Sequence, residues 1–267
     1  MASSLLRASI VLLLLAACEP TSVDSDAGHD AARPDAAVTD ASADAFASVD
    51  GGSDAGHDTG PPGCGHLFCE DFEGDVTSRW TEVAGYDAMN HATIETDRVA
   101  HGTHAMHAFV SENGGGFAYL QETTTFPALA DGMWGRASFY TSVATTSGHS
   151  DFIDAVAGTH TALEVGYGNG TWQLTQYPAA GGENPAGYPA MVPRNAWTCL
   201  EWHFQRISPQ IEVFIDGVSV ARYARDGLDV PALTALKLGF GNHSANAPTN
   251  ESFFDDVVLD TSRIGCP

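Results

Sequence analysis

Ile211-Glu212-Val213-Phe214-Ile215-Asp216-Gly217-Val218-Ser219-Val220 reads as two short strands around a two-residue turn. Asp-Gly supplies the positive φ angles of a type I′ turn, whose twist suits the strands on either side. Working outward, strand-like runs fill the chain at 67–73, 91–97, 104–110, 116–123, 133–141, 150–157, 162–167, 171–177, 197–206, 236–241 and 252–260. Many alternate apolar and polar residues, and turn signals such as Asp131-Gly132, Asn169-Gly170 and Pro209 separate them. Nothing reads as helix beyond a turn near 127–130. The pattern predicts an all-β domain over 64–267, a β-sandwich or jelly roll with one concave face open. The Pro/Gly-rich stretch 178–193 reads as a lid over that face.

Charge and cysteines narrow the setting. The chain has 267 residues, a formal charge of −23 and a single lysine, Lys237. Such acidity argues against nucleic acid as a partner and against direct docking to an anionic membrane. Apart from Cys18, four cysteines remain: Cys64, Cys69, Cys199 and Cys266. An even number in an exported chain reads as two disulfides. Of the three connectivities, Cys64–Cys266 with Cys69–Cys199 is preferred, because the first and last strands are expected to pair antiparallel. A four-thiolate zinc site is the rival, but Cys64-x4-Cys69 is a weak zinc spacing.

The N-terminus carries a separate message. Residues 1–17 hold one base, Arg7, an apolar run over 10–15 and two alanines before Cys18. That run is too short to span a bilayer and fits an export signal. Leu15-Ala16-Ala17-Cys18 resembles the lipobox of bacterial lipoproteins. The resemblance implies cleavage before Cys18 and acylation of that residue, with Glu19 rather than Asp favouring the outer membrane or cell surface. Several acyl chains give stable anchoring. Residues 18–63 are rich in Asp, Ala, Ser, Gly and Pro, and Ser-Asp-Ala-Gly-His-Asp occurs twice, at 25–30 and 53–58. Such a segment buries too little apolar surface to offset its ordering entropy and reads as a disordered acidic stalk. Metal binding by its hexamers is disfavoured for want of a preformed geometry.

Four stretches carry a second resemblance: Cys69-Glu-Asp-Phe-Glu73-Gly, Trp197-Thr-Cys-Leu-Glu-Trp-His203, the Phe214-Ile-Asp-Gly217 turn and Phe253-Phe-Asp-Asp-Val-Val-Leu259. Together they resemble concanavalin A-like jelly rolls, with the flavour of the polysaccharide-lyase-like branch that includes glucuronan lyases. The likeness covers 64–266. It implies a structural calcium ion held by Glu73 and Asp255, with backbone oxygens from a turn around His101 and His104. Calcium takes six to eight oxygens. Asp255 is preferred to Asp256 because adjacent strand residues point to opposite faces. The run His101-x-x-His104-x-x-His107 invites a transition-metal reading, but a spacing of three separates the rings on a strand.

The same likeness implies an extracellular polysaccharide as ligand, bound by a protein expected to be monomeric. The paired-acid motif of retaining glucanases is absent, and Asp151 and Asp154, three apart, are expected on opposite faces, which disfavours two-carboxylate hydrolysis. A β-elimination needs a cation for the uronate carboxylate, a base and an acid. Arg136 sits where the lyase branch has a cleft arginine and would neutralise. His149 would be the base and Tyr140 the acid. A non-catalytic binding module would instead use Trp134, Tyr140, Tyr167, Trp172 and Tyr177 for stacking, with Asp151 and Gln173 bonding to hydroxyls. A structural or adhesive surface protein is the third reading.

Overall fold

The computed structural model describes residues 64–111, 115–142, 148–244 and 248–267. The expected signal 1–17, the acylated Cys18 and the stalk 18–63 lie outside the described residues. Within them every regular element is a strand, and the strands form two antiparallel sheets. The first sheet runs β13 (Val218–Ala224), β12 (Gln210–Ile215), β11 (Thr198–Gln205), β6 (Gly132–Thr141), β15 (Asn250–Asp260), β4 (Ala105–Val110) and β3 (His91–Glu95). A short β1 (Phe68–Glu70) also pairs with β15. The second runs β10 (Asn184–Met191), β9 (Thr171–Gln176), β8 (His160–Gly168), β7 (His149–Ala157), β14 (Ala235–Asn242), β5 (Gly116–Glu122) and β2 (Trp80–Gly85).

The domain is thus a β-sandwich of the jelly-roll type. Its core is the facing sides of the two sheets. Met133, Ala137 and Phe139 of β6, Trp202 and Phe204 of β11, and Phe254 of β15 meet Phe152, Tyr167, Trp172, Leu174 and Phe240 of the second sheet. The opening hairpin forms as read: β12 and β13 pair around Asp216 at φ 49° and Gly217 at φ 80°. The first and last strands also pair as expected, with Phe68 opposite Leu259 and Glu70 opposite Val257.

Two expectations are corrected. The disulfides are Cys64–Cys69 and Cys199–Cys266, not Cys64–Cys266 and Cys69–Cys199. After β15 the chain does not stop beside β1. It turns back across the outside of β6 and β11, where Arg263 and the Gly265 amide bond to the fully buried Glu201, and this carries Cys266 to β11. The stretch 178–193 is not a loose lid, since half of it is β10, an edge strand on β9. Pro185 and Pro189 hid it from the sequence reading, and an edge strand is where proline is tolerated. The other edge strand, β2, also went unread.

Candidate functional site

The outer face of the second sheet carries a groove of about 590 Å³ lined by Tyr119, His149, Asp151, Asp154, Glu164, Tyr177, Lys237 and His243, among others. Its floor comes from a bulge. Asp151 pairs with Gly166 but Ile153 with Val165, so Phe152 is an extra residue in β7. Phe152 and Ile153 both turn into the core, and Asp151 and Asp154 both turn outward. The expectation that these two acids face opposite ways is therefore wrong. Glu164, opposite Asp154 on β8, joins them, and the three carboxylates lie within 4.8 Å of one another.

Two hydrogen-bonded relays run through this cluster. Tyr119 donates to Asp151 Oδ1 at 2.5 Å, and His243 Nε2 lies 3.1 Å from Asp151 Oδ2. Tyr177 donates to Glu164 Oε2 at 2.8 Å, and His149 Nε2 lies 2.7 Å from Glu164 Oε1. Thr161 donates to Asp154 Oδ2 at 3.0 Å, while Asp154 Oδ1 has no hydrogen-bond partner. Lys237 pairs across from Asp154 on β14, its ammonium 5.5 Å from the Tyr119 ring.

These neighbours set the charge of the groove. Burial pushes the Asp154 carboxyl well up, and the charges of Asp151 and Glu164 push it further. Burial also opposes ionisation of Asp151, but the hydrogen bond and charge of His243, with Tyr119 and His149, hold its pKa below the ordinary carboxylate value. Asp151's hydrogen bond raises His243. Burial lowers His149, but Glu164's hydrogen bond and charge outweigh it, and the net shift is upward. Burial and nearby carboxylates push Tyr119 and Tyr177 up, so both stay protonated. His149 and His243 thus hold a proton more firmly than free imidazoles, Asp151 gives one up more readily than a free carboxyl, and Asp154 keeps its own.

Of the three residues expected to share lyase chemistry, only His149 is in this groove. Arg136 and Tyr140 point outward from β6, on the opposite side of the sandwich. Arg136 donates to the Gly265 carbonyl at 3.2 Å, and Tyr140 lies under the Arg98 guanidinium at 4.0 Å. They shared a face with each other, as read, but their strand belongs to the other sheet. Among the expected sugar contacts, Asp151 is in the groove, and Gln173 pairs with Gly166 on the same face. Tyr167 and Trp172 are in the core instead, and Trp134 stacks on His203 at 4.3 Å on the far sheet. Trp172 and Leu174 share the inward face of β9, which the alternation of Thr171–Gln176 already encodes. The sequence reading named Tyr177 and missed Glu164, Lys237, His243 and Tyr119.

The turn at 100–104 lies beside Glu73 and Asp255, as the resemblance implied. Glu73 accepts from the Thr103 amide and hydroxyl at 2.6 Å each and from the His104 amide at 2.8 Å. The Thr103 hydroxyl, then these amides, hold its carboxyl down at about 2. Asp255 Oδ2 accepts from the Ala100 and His101 amides at 3.0 and 3.1 Å. Asp256, at φ 51°, also reaches the turn, with its Oδ2 2.5 Å from His101 Nδ1. Calcium needs oxygens, and the turn faces both acids with N–H donors. As arranged, Glu73, His101, His104 and Asp255 do not fit that ion.

No family model and no curated protein matches the chain. Among solved structures, a cellulose-induced protein, Cip1, superposes with a TM-score of 0.61 at 21% identity, covering 75% of this chain and 100% of that one. An endo-β-1,4-glucuronan lyase from the fungus Trichoderma reesei superposes with a TM-score of 0.56 at 13% identity, covering 74% and 96%. At such identities the likeness concerns architecture: this chain has the jelly-roll sandwich of those two proteins.

Proposed function

We propose that the protein acts on an extracellular polysaccharide and that the groove of the second sheet cleaves a uronate-containing chain by β-elimination. The observation that carries this is the pair of Tyr–carboxylate–His relays facing one groove beside Lys237. Shifted, mutually bonded titratable groups in a cleft support acid–base chemistry over simple adhesion. Two of the aromatics that a binding module would use for stacking, Tyr167 and Trp172, are spent in the core, and Trp134 lies on the other sheet.

In this reading Lys237 neutralises the uronate carboxylate, which acidifies the adjacent ring proton. His149, in its neutral form, takes that proton. The electron pair forms the ring double bond as the glycosidic C–O bond breaks, and the His243 imidazolium protonates the leaving oxygen. Asp151 and Glu164 orient the two rings. The Trichoderma protein named as a glucuronan lyase supports the substrate class by analogy of fold alone. In the same proposal the chain is exported, acylated at Cys18 and held at the outer membrane on the stalk of residues 18–63.

Asp154 favours a second reading. A neutral acid beside an ionised one is the pattern of acid-assisted glycoside hydrolysis. A panel of uronate polymers and neutral glucans separates the two. Elimination gives ultraviolet-absorbing unsaturated ends, lost in Lys237→Ala and His149→Ala. New reducing ends without that absorbance, lost in Asp154→Asn, would replace it by hydrolysis. Retention on a polymer with no product would make the groove a binding site only.

A further inference from the structure

The first sheet carries a second cluster on its own outer face, at the β3–β4 edge. Thr93 of β3 pairs with His107 of β4, so His91 and Glu95 flank His107 diagonally. Single ligand atoms of His91, Glu95 and His107 lie within 4.8 Å of one another. The His107 side chain is only 8% exposed, yet neither ring nitrogen has a hydrogen-bond partner. Its Nδ1 is 3.0 Å from Glu95 Oε2 and its Nε2 3.6 Å from Glu251 Oε1, neither in hydrogen-bond alignment. A buried imidazole held only by misaligned carboxylate contacts gains when a metal ion takes up its lone pair.

We infer that His91, Glu95 and His107 form a binding site for a divalent first-row transition metal of the zinc class. Two imidazoles and a carboxylate are a donor set that zinc accepts, with water in a fourth position. The surroundings match what such ligands require. His91 Nδ1 lies 2.8 Å from the Met89 carbonyl, which can only accept, so Nδ1 carries the proton and Nε2 offers its lone pair. Glu251 stands behind His107 as the carboxylate that orients a ligating ring. Thr93 donates to Glu95 Oε1 at 3.1 Å, leaving Oε2 toward His107. Phe109 stacks on His91 at 5.2 Å and Phe253 on His107 at 4.2 Å, which fixes both ring planes. Donors about 2.0–2.2 Å from one zinc ion lie closer to one another than 4.8 Å, so loading would draw the three side chains together. The site is on the sheet opposite the groove and does not depend on the reading of that groove.

The test is titration of the full chain, freed of metal by a chelator, with zinc by calorimetry and with cobalt by visible absorption. The expected result is a tight equivalent of zinc that raises Tm, with the cobalt adduct showing the ligand-field bands of a four-coordinate site. Glu95→Gln should weaken zinc at least about tenfold, and His91→Phe, which keeps the stack on Phe109, should abolish that equivalent. Both substitutions are at partly exposed positions, and unchanged apo melting verifies that the variants fold. No zinc binding by the native chain overturns the inference. So does an equivalent that survives in both variants, which would belong to the groove histidines or to His29 and His57.

Discussion

The imidazole rings of His149 and His243 stand 5.2 Å apart, and the His243 amide donates to the His149 carbonyl at 3.0 Å. A charge on His243 at that distance lowers the proton affinity of His149. Each is nonetheless held by its own carboxylate, Glu164 for His149 and Asp151 for His243, and the proton affinity of both is raised.

That arrangement makes the fold sensitive to alkali. Both histidines are raised above 6.5 in the folded protein. Their contribution to stability is complete below the unfolded value and is lost as pH climbs through the folded ones. Tm measured by calorimetry should therefore fall from pH 6 to pH 9. The double variant His149→Gln/His243→Gln should flatten this part of the profile. A native profile that rises over that range would contradict the relays.

Asp154 has the opposite sense for an acid. Its raised pKa means that the folded state disfavours the charge which the unfolded chain carries above pH 3.8. Asp154→Asn keeps the shape and removes that cost. We expect it to gain about 1 kcal/mol at pH 7, or about 2–4 °C in Tm. If the substitution instead lowers Tm at pH 7 and not at pH 4, Asp154 is ionised in the native protein.

Gly241 lies where the Tyr119 hydroxyl and the Asp151 carboxylate come together, and a Cβ there would collide with both. Gly241→Ala should cost about 1–3 kcal/mol by overpacking and should abolish turnover more completely than the loss of stability explains. Urea unfolding with a parallel polysaccharide assay reads the two effects separately.

The Cys199–Cys266 bridge spans 67 positions. Replacing both cysteines with serine should cost up to about 4 kcal/mol, against about 2 kcal/mol for the short Cys64–Cys69 loop. Peptide mapping without reduction should recover those two pairings, and a crossed pair would refute the path drawn here for the C-terminal tail.

With N–H groups facing Glu73 and Asp255, calcium has little to bind. Melting curves with calcium and with a chelator should superpose. A chelator-induced fall in Tm that calcium alone restores would show that the 100–104 turn rearranges around the ion.

Local chemistry made much of this fold legible. Asp216-Gly217 specified its hairpin, and alternation located most strands because period two is a local property. What failed depends on neighbours. β2 and β10 are edge strands, where one partner suffices and prolines are allowed. Whether Arg136 and His149 share a groove depends on which sheet their strands join, and no periodicity records that. The groove acids were misplaced because a bulge exists only relative to a partner strand. Tyr167 and Trp172 were misjudged against a readable signal, since the inward parity of one with Leu163 and Val165, and of the other with Leu174, was there to be counted.

The extra Phe152 in β7 has a wider implication. In regular register the strand would keep Asp151 and Asp154 on opposite sides, one of them stranded among hydrocarbon. Insertion of one residue, with no exchange of side chains, converts an inert surface into a titratable one. Kinship of chemistry among such sandwiches should then follow where strands are lengthened, and comparisons that align residue types without gaps will overlook it.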